Sequence, residues 1–201
     1  RRVKQGERVM MVSAEGKAIK WDEADARPMG RDTTGVRGMN VKDGDRVLGM
    51  EIAYPGSELF VVTERGYGKR TPVDQYPIQN RGGMGVKTIQ VTPKKGRLAG
   101  MKIVMPGHEL MLISEEGVII RVKAEDISQL GRSTQGVKVM NVAESDRVCA
   151  IARVSAKKKK KPVTVDGQQA LLEEPDGRVP GMTDLEAEAE DLASEEFDED
   201  E

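Results

Sequence analysis

Glycine and arginine recur at a fixed interval of about fifty residues in this chain, and that interval leaves few folds open. Gly6, Gly56 and Gly107 stand 50 and 51 residues apart, and Gly16, Gly66 and Gly117 keep the same spacing. So do Arg31, Arg81 and Arg132, and Gly35, Gly85 and Gly136. A period of this size marks propellers, solenoids and repeat arrays, in which one unit cannot bury its apolar face alone. Function in such a chain belongs to a repeated surface rather than to a single pocket.

Each copy reads alike. An apolar run opens it (Val9 to Val12, Leu59 to Val62, Leu110 to Ile113) and a tight polar turn ends in Gly16, Gly66 or Gly117. That order predicts a two-stranded hairpin. The second strand is expected near Ala18–Trp21, Gly68–Thr71 and Val118–Val122. A longer loop then leads to a third strand starting at Val36, Val86 and Val137, and a fourth covers Val47–Ile52, Leu98–Ile103 and Val148–Ala152. Short strands at such spacing favour an all-β, propeller-like fold. The expected units are 6–55, 56–106 and 107–156, each a four-stranded blade, followed by a basic linker and a disordered acidic tail over 157–201. Three blades leave the first and last sheets with open edges, which proteins normally pair, cover or charge. Because the chain starts at Arg1 rather than methionine, further blades are expected upstream.

The net charge of −2 conceals segregation. Residues 162–201 hold one base and fifteen acids, so 31 bases and 19 acids remain before them, leaving the body at +12 and the tail at −14. A basic body suggests a polyanion-binding surface, and the acidic tail a built-in competitor for it. Cys149 is the lone cysteine, which excludes an internal disulfide framework and a cysteine-based zinc site. No apolar run approaches the ~20 residues that cross a bilayer, and aromatics make up 3% of the chain, too few for single-strand binding by base stacking.

The chemically marked place is the entry to the third strand. It reads Met29-Gly30-Arg31-Asp32-Thr33-Thr34-Gly35-Val36-Arg37 in copy one and Leu130-Gly131-Arg132-Ser133-Thr134-Gln135-Gly136-Val137-Lys138 in copy three. Copy two reads Gln79-Asn80-Arg81-Gly82-Gly83-Met84-Gly85-Val86-Lys87. Guanidinium forks pair with phosphate oxygens, and glycines let backbone N–H groups approach an anion. The candidates for duplex DNA contact are Arg31, Arg37, Lys69, Arg70, Arg81, Lys87, Arg132 and Lys138. A phosphate-binding P-loop is ruled out because Val86 follows the last glycine where lysine is needed and a strand rather than a helix comes next; a dinucleotide fingerprint is absent. Tyr54, Tyr67 and Tyr76 read as structural, His108 as a surface group after a Pro-Gly turn, and Asp22, Asp25, Glu125 and Asp126 as solvated loop charges. Neither a catalytic constellation nor a metal site is expected.

The heptapeptide Gln79 to Gly85, set within repeated β units, resembles the gyrase-A box found in the C-terminal domains of bacterial DNA gyrase A proteins. Tyr76-Pro77-Ile78, Val86-Lys87-Thr88-Ile89 and Arg27-Pro28-Met29-Gly30-Arg31 are similar to that family too, and the likeness covers about residues 6–155. It implies a six-bladed β-pinwheel that wraps DNA around its rim, of which these three blades and the tail form the last half. Gln79, Gly82, Gly83 and Gly85 then join the candidate DNA-binding residues. The resemblance further implies a cytoplasmic, chromosome-associated type II topoisomerase, with the rest of gyrase A and gyrase B as partners in a heterotetramer. No cofactor is expected in this segment, and ATP and magnesium are expected elsewhere in the holoenzyme. The box departs from the family pattern at Asn80 and Met84, where bases are usual, and looks like the degenerate second box of some members. The corresponding protein of topoisomerase IV has a related domain and stays open as a reading, as does a propeller that binds an acidic protein.

Overall fold

The computed structural model describes residues 2–154. The linker Lys157–Lys161 and the acidic segment 162–201 lie outside the described residues, so the expectations placed on them are not addressed by the fold. Each copy opens with the expected antiparallel hairpin: β1 (Arg8–Ser13) with β2 (Lys17–Asp22), then β4 (Glu58–Thr63) with β5 (Tyr67–Pro72), then β8 (Glu109–Ser114) with β9 (Ile119–Lys123). The last strand of each copy returns to the other side of its first: β3 (Val47–Ile52) on β1, β7 (Leu98–Val104) on β4, β11 (Val148–Val154) on β8. All three of these pairings carry a register shift at one end, which bends the strand and adds twist.

The third strands correct the copy-by-copy assignment. β6 (Val86–Lys87) belongs to copy two by sequence, yet it pairs with β2 of copy one, Val86 opposite Ala18 and Lys87 opposite Lys17. β10 (Val137–Lys138) of copy three pairs in the same way with β5, Val137 opposite Gly68. The sheets are therefore ordered β3-β1-β2-β6, β7-β4-β5-β10 and β11-β8-β9. Val36 and its neighbours form no strand among the described residues. Two-residue pairings persist because bonds just beyond them continue the ladder: the Thr88 N–H donates to Gly16 O at 2.8 Å, and the Val139 N–H to Gly66 O at 2.9 Å.

Packing explains why the apolar runs are unbroken. On β4, Leu59 and Val61 point to a cluster shared with Met10 and Val12 of copy one, whereas Phe60 and Val62 point to one shared with Leu110 and Leu112 of copy three. Burying each such side chain is worth ~1.5–3 kcal/mol, against ~0.5–1.5 kcal/mol net for a backbone hydrogen bond. The apolar faces therefore hold the copies together, and the exchanged strands set their register. Tyr76 is fully buried in the first cluster with its hydroxyl against Thr88 Oγ1, the structural role expected of it. Strand β7 meets both β3 and β11, and β6 and β10 occupy the opposite, outer edges of their sheets.

Candidate nucleic-acid interface

The loops that carry the marked residues run from a single 3-10 turn to the exchanged strand, and so lie along the outer edges. The loop of copy two lies across copy one. Gln79 N–H donates to Lys20 O at 2.8 Å, Gly82 N–H to Gly38 O at 3.0 Å, and Asn40 N–H to Gly83 O at 2.9 Å. The Arg81 guanidinium is turned onto copy one as well, Nε to Asp25 O at 2.9 Å and Nη1 to Arg37 O at 2.6 Å. The Gln79 amide oxygen is buried without a partner. Gly85 has φ +71°, and a Cβ there would overlap the carbonyl oxygen of Ala18. In this copy the box works as an inter-sheet strap. Gly85→Ala is expected to cost about 2–4 kcal/mol through the left-handed backbone plus overlap with strand β2, read as a lower urea midpoint.

The loop of copy three is held from beneath. Lys69 is fully buried, and its ammonium donates to Gly131 O, to Arg132 O at 2.9 Å and to Thr134 Oγ1 at 3.0 Å. Burial pulls its pKa down to about 8. Thr71 Oγ1 donates to Leu130 O at 2.7 Å. Arg70 pairs with Glu58 and donates from Nε to Ile127 O at 2.8 Å. Lys69 and Arg70, expected as DNA contacts, are therefore corrected: both face inward, the first spent on loop carbonyls and the second on a carboxylate. One sign of this lay in the repeat itself. Lys69 stands where copies one and three have Ile19 and Ile120, so a polar residue occupies an apolar position.

Of the other candidate cations, Arg31, Arg37, Lys87 and Lys138 are exposed and Arg132 is half-buried. Arg31, Arg37 and Lys87 make no ion pair among the described residues. The Arg132 guanidinium lies 5.9 Å from the Tyr76 ring centre. Lys138 donates to Arg65 O at 3.1 Å and lies 4.7 Å from the Tyr67 ring centre. Lys95 sits 4.5 Å from that same ring, bringing two ammonium groups onto one tyrosine. Sequence reasoning missed Lys95, whose counterparts in the other copies are Gly44 and Ser145. Four arginines on the strands and turns away from these loops are neutralised: Arg8 by Asp22, Arg97 by Glu15, Arg121 by Glu109 and Arg147 by Glu115. Met84 stands exposed at the tip of the box. His108 accepts from the Met105 N–H at 3.0 Å and Glu125 from the Gly107 N–H at 2.7 Å, so both brace the Pro106-Gly107 turn.

Strand-exchanging sheets with cationic loops along their outer edges define a β-propeller-like repeat domain. The family model described as DNA gyrase C-terminal domain, beta-propeller, matches residues 7–53, 57–105 and 108–155, one match to each copy, and the chain belongs to that family. The DNA gyrase A protein of Staphylococcus aureus (strain MRSA252) is 40% identical over 150 residues, which are 74% of this chain and 17% of that protein. The chain thus spans about a sixth of the length of the curated relatives it matches. A solved DNA gyrase A C-terminal domain superposes with a TM-score of 0.70 at 27% identity, covering 75% of this chain and 52% of the other. The C-terminal domain of DNA topoisomerase IV gives 0.71 at 25% identity, covering 75% and 47%. The pinwheel fold and the family likeness read from the box are borne out. No helix among the described residues is long and apolar enough to cross a membrane.

Proposed function

We propose that this segment binds duplex DNA along the outer strand edges and bends it around the sheets, as the C-terminal part of a gyrase A protein. The observation that carries this reading is that the third-strand loop of every copy carries cations with no carboxylate partner among the described residues. By contrast, Arg8, Arg97, Arg121 and Arg147 are paired. Lone cations recurring once per copy suit the evenly spaced phosphates of a duplex and carry no sequence information. Bending 20–30 base pairs by 40–90° costs on the order of 1–6 kcal/mol, so several copies must act together. The rest of gyrase A and gyrase B are the proposed partners, in a cytoplasmic, chromosome-associated enzyme. ATP and magnesium would be handled by those other parts, this segment using neither. Gyrase is favoured over topoisomerase IV by the 40% identity to the Staphylococcus gyrase A protein and by the box.

A filter-binding titration of duplex DNA over a salt series tests the reading. If ~6–10 phosphates are neutralised, affinity falls by about 10³–10⁵ between 50 and 200 mM salt. A flat log–log plot would reject it.

A further inference from the structure

In every copy the hairpin turn meets the loop before the last strand, and together they form one end of the sheet. The Ala14 N–H donates to Arg46 O at 2.9 Å, the Glu64 N–H to Arg97 O at 2.9 Å and the Glu115 N–H to Arg147 O at 3.0 Å. The backbone of this end is common to the copies, but its charge is not. Copy one balances Glu15, Asp43 and Asp45 against Lys17, Lys42 and Arg46. Copy two sets Arg65, Lys94, Lys95 and Arg97 against Glu64 alone, and copy three sets Glu115, Glu116, Glu144 and Asp146 against Arg147 alone. The middle sheet is flanked by sheets of this chain on both sides, so its basic end is a property of its own sequence.

Two of the four bases of copy two are already committed. Arg65 donates to Glu144 O at 2.6 Å and to Asp146 O at 3.0 Å, and Arg97 pairs with Glu15. Lys94 is exposed, and neither it nor Lys95 has a carboxylate partner among the described residues. Lys95 donates to Gln135 O at 3.3 Å and faces the Tyr67 ring, which also holds the Lys138 ammonium. Tyr67 stands opposite Lys138 on the outer strand β10. The negative face of the ring gathers two like charges that would otherwise spread apart. Basic surface therefore runs without a break from the outer edge onto the end of sheet two. At copy three it stops: Glu116 and Glu144 are exposed and make no ion pair among the described residues.

We propose that bound duplex steps off the outer edge at copy two, where Lys94 and Lys95 take phosphates at the end of the sheet, and that the acids of copy three turn it back to the edge. The two lysines direct the path without reading sequence, since phosphate contacts position a duplex and base contacts specify it. The inference rests on the DNA-binding reading of the third-strand loops and adds contacts that lie outside them.

Filter binding of the 201-residue chain to duplex DNA over a salt series tests it. Lys94→Ala with Lys95→Ala is expected to lose about two units of the log–log slope, roughly 0.9 for each phosphate contact. Lys42→Ala with Arg46→Ala removes the same charge from the balanced end of copy one and is expected to keep the wild-type slope. Unchanged circular dichroism checks that both variants fold. Position is read separately by an iron chelate tethered in a Cys149→Ser chain, at Lys94→Cys or at Glu144→Cys; DNA cleavage is expected from the first site and not from the second. A wild-type slope in the Lys94 and Lys95 variant, beside a reduced one when the loop cations are removed, would overturn the inference alone and leave the patch to an acidic protein segment. Equal losses in the copy-one control, or equal cleavage from both tethers, would overturn it as well. A flat plot for the wild-type chain would reject the DNA-binding reading and this inference with it.

Discussion

The combined variant Arg31→Ala, Lys87→Ala, Arg132→Ala and Lys138→Ala is expected to lose about 3–4 units from the slope of log affinity against log salt. Each phosphate contact contributes roughly 0.9 to that slope, so four lost contacts shrink the change between 50 and 200 mM salt by about two orders of magnitude. The control is Arg97→Ala with Arg121→Ala. Both side chains are exposed but already paired with carboxylates, and an exposed pair of this kind offers little charge to a passing duplex. Its slope is expected to match that of wild type. Equal losses in the two variants would mean that binding follows net charge rather than the loop edges, and the functional reading would fail.

Lys69→Met is expected to destabilise the domain by about 2–4 kcal/mol. Three part-buried loop oxygens lose the ammonium, Gly131 O keeping only the Thr134 hydroxyl, and each acceptor left without a partner costs about 1–3 kcal/mol, offset in part because the ammonium no longer has to be buried. The damage should concentrate in the loop that carries Arg132, since Gly131 O, Arg132 O and Thr134 Oγ1 all converge on Lys69. Alkaline pH adds a second readout. Burial lowers the folded-state pKa from 10.5 to about 8, so between those values the unfolded chain holds the extra proton and folding is favoured as pH rises. The stability gap between wild type and Lys69→Met is therefore expected to widen from pH 7 to about pH 10, measured by paired denaturant titrations. A constant gap would mean that the lysine is not buried as a cation.

The repeat and the hairpins were legible because glycine at Gly16, Gly66 and Gly117 fixes where each strand must turn, and the apolar runs state which strands are buried on both faces. Strand exchange was not. Val86–Lys87 and Val137–Lys138 are two residues long, and nothing in so short a stretch records which neighbour it will pair with; the decision is made by Gly85 and Gly136 lying against a carbonyl of the preceding copy. The site was legible by residue type and half legible by direction. Arg31, Arg37 and Lys87 point outward as expected, but β5 is covered on both faces, so alternation could not reveal that Lys69 and Arg70 turn inward. Arg81 beside three glycines reads as an anion nest, yet Asp25 and Arg37 carbonyls lay within its reach, and only the fold brings them there.

Borrowed strands also constrain the order of events on the ribosome. The first sheet cannot gain its outermost member until Lys87 has emerged, some seventy residues after Lys17, the strand residue it meets. Each repeat therefore waits on its successor, and contacts of such long sequence separation slow folding. Translation speed through the glycine-rich loop would then govern how long an unfinished edge stays open to the wrong partner.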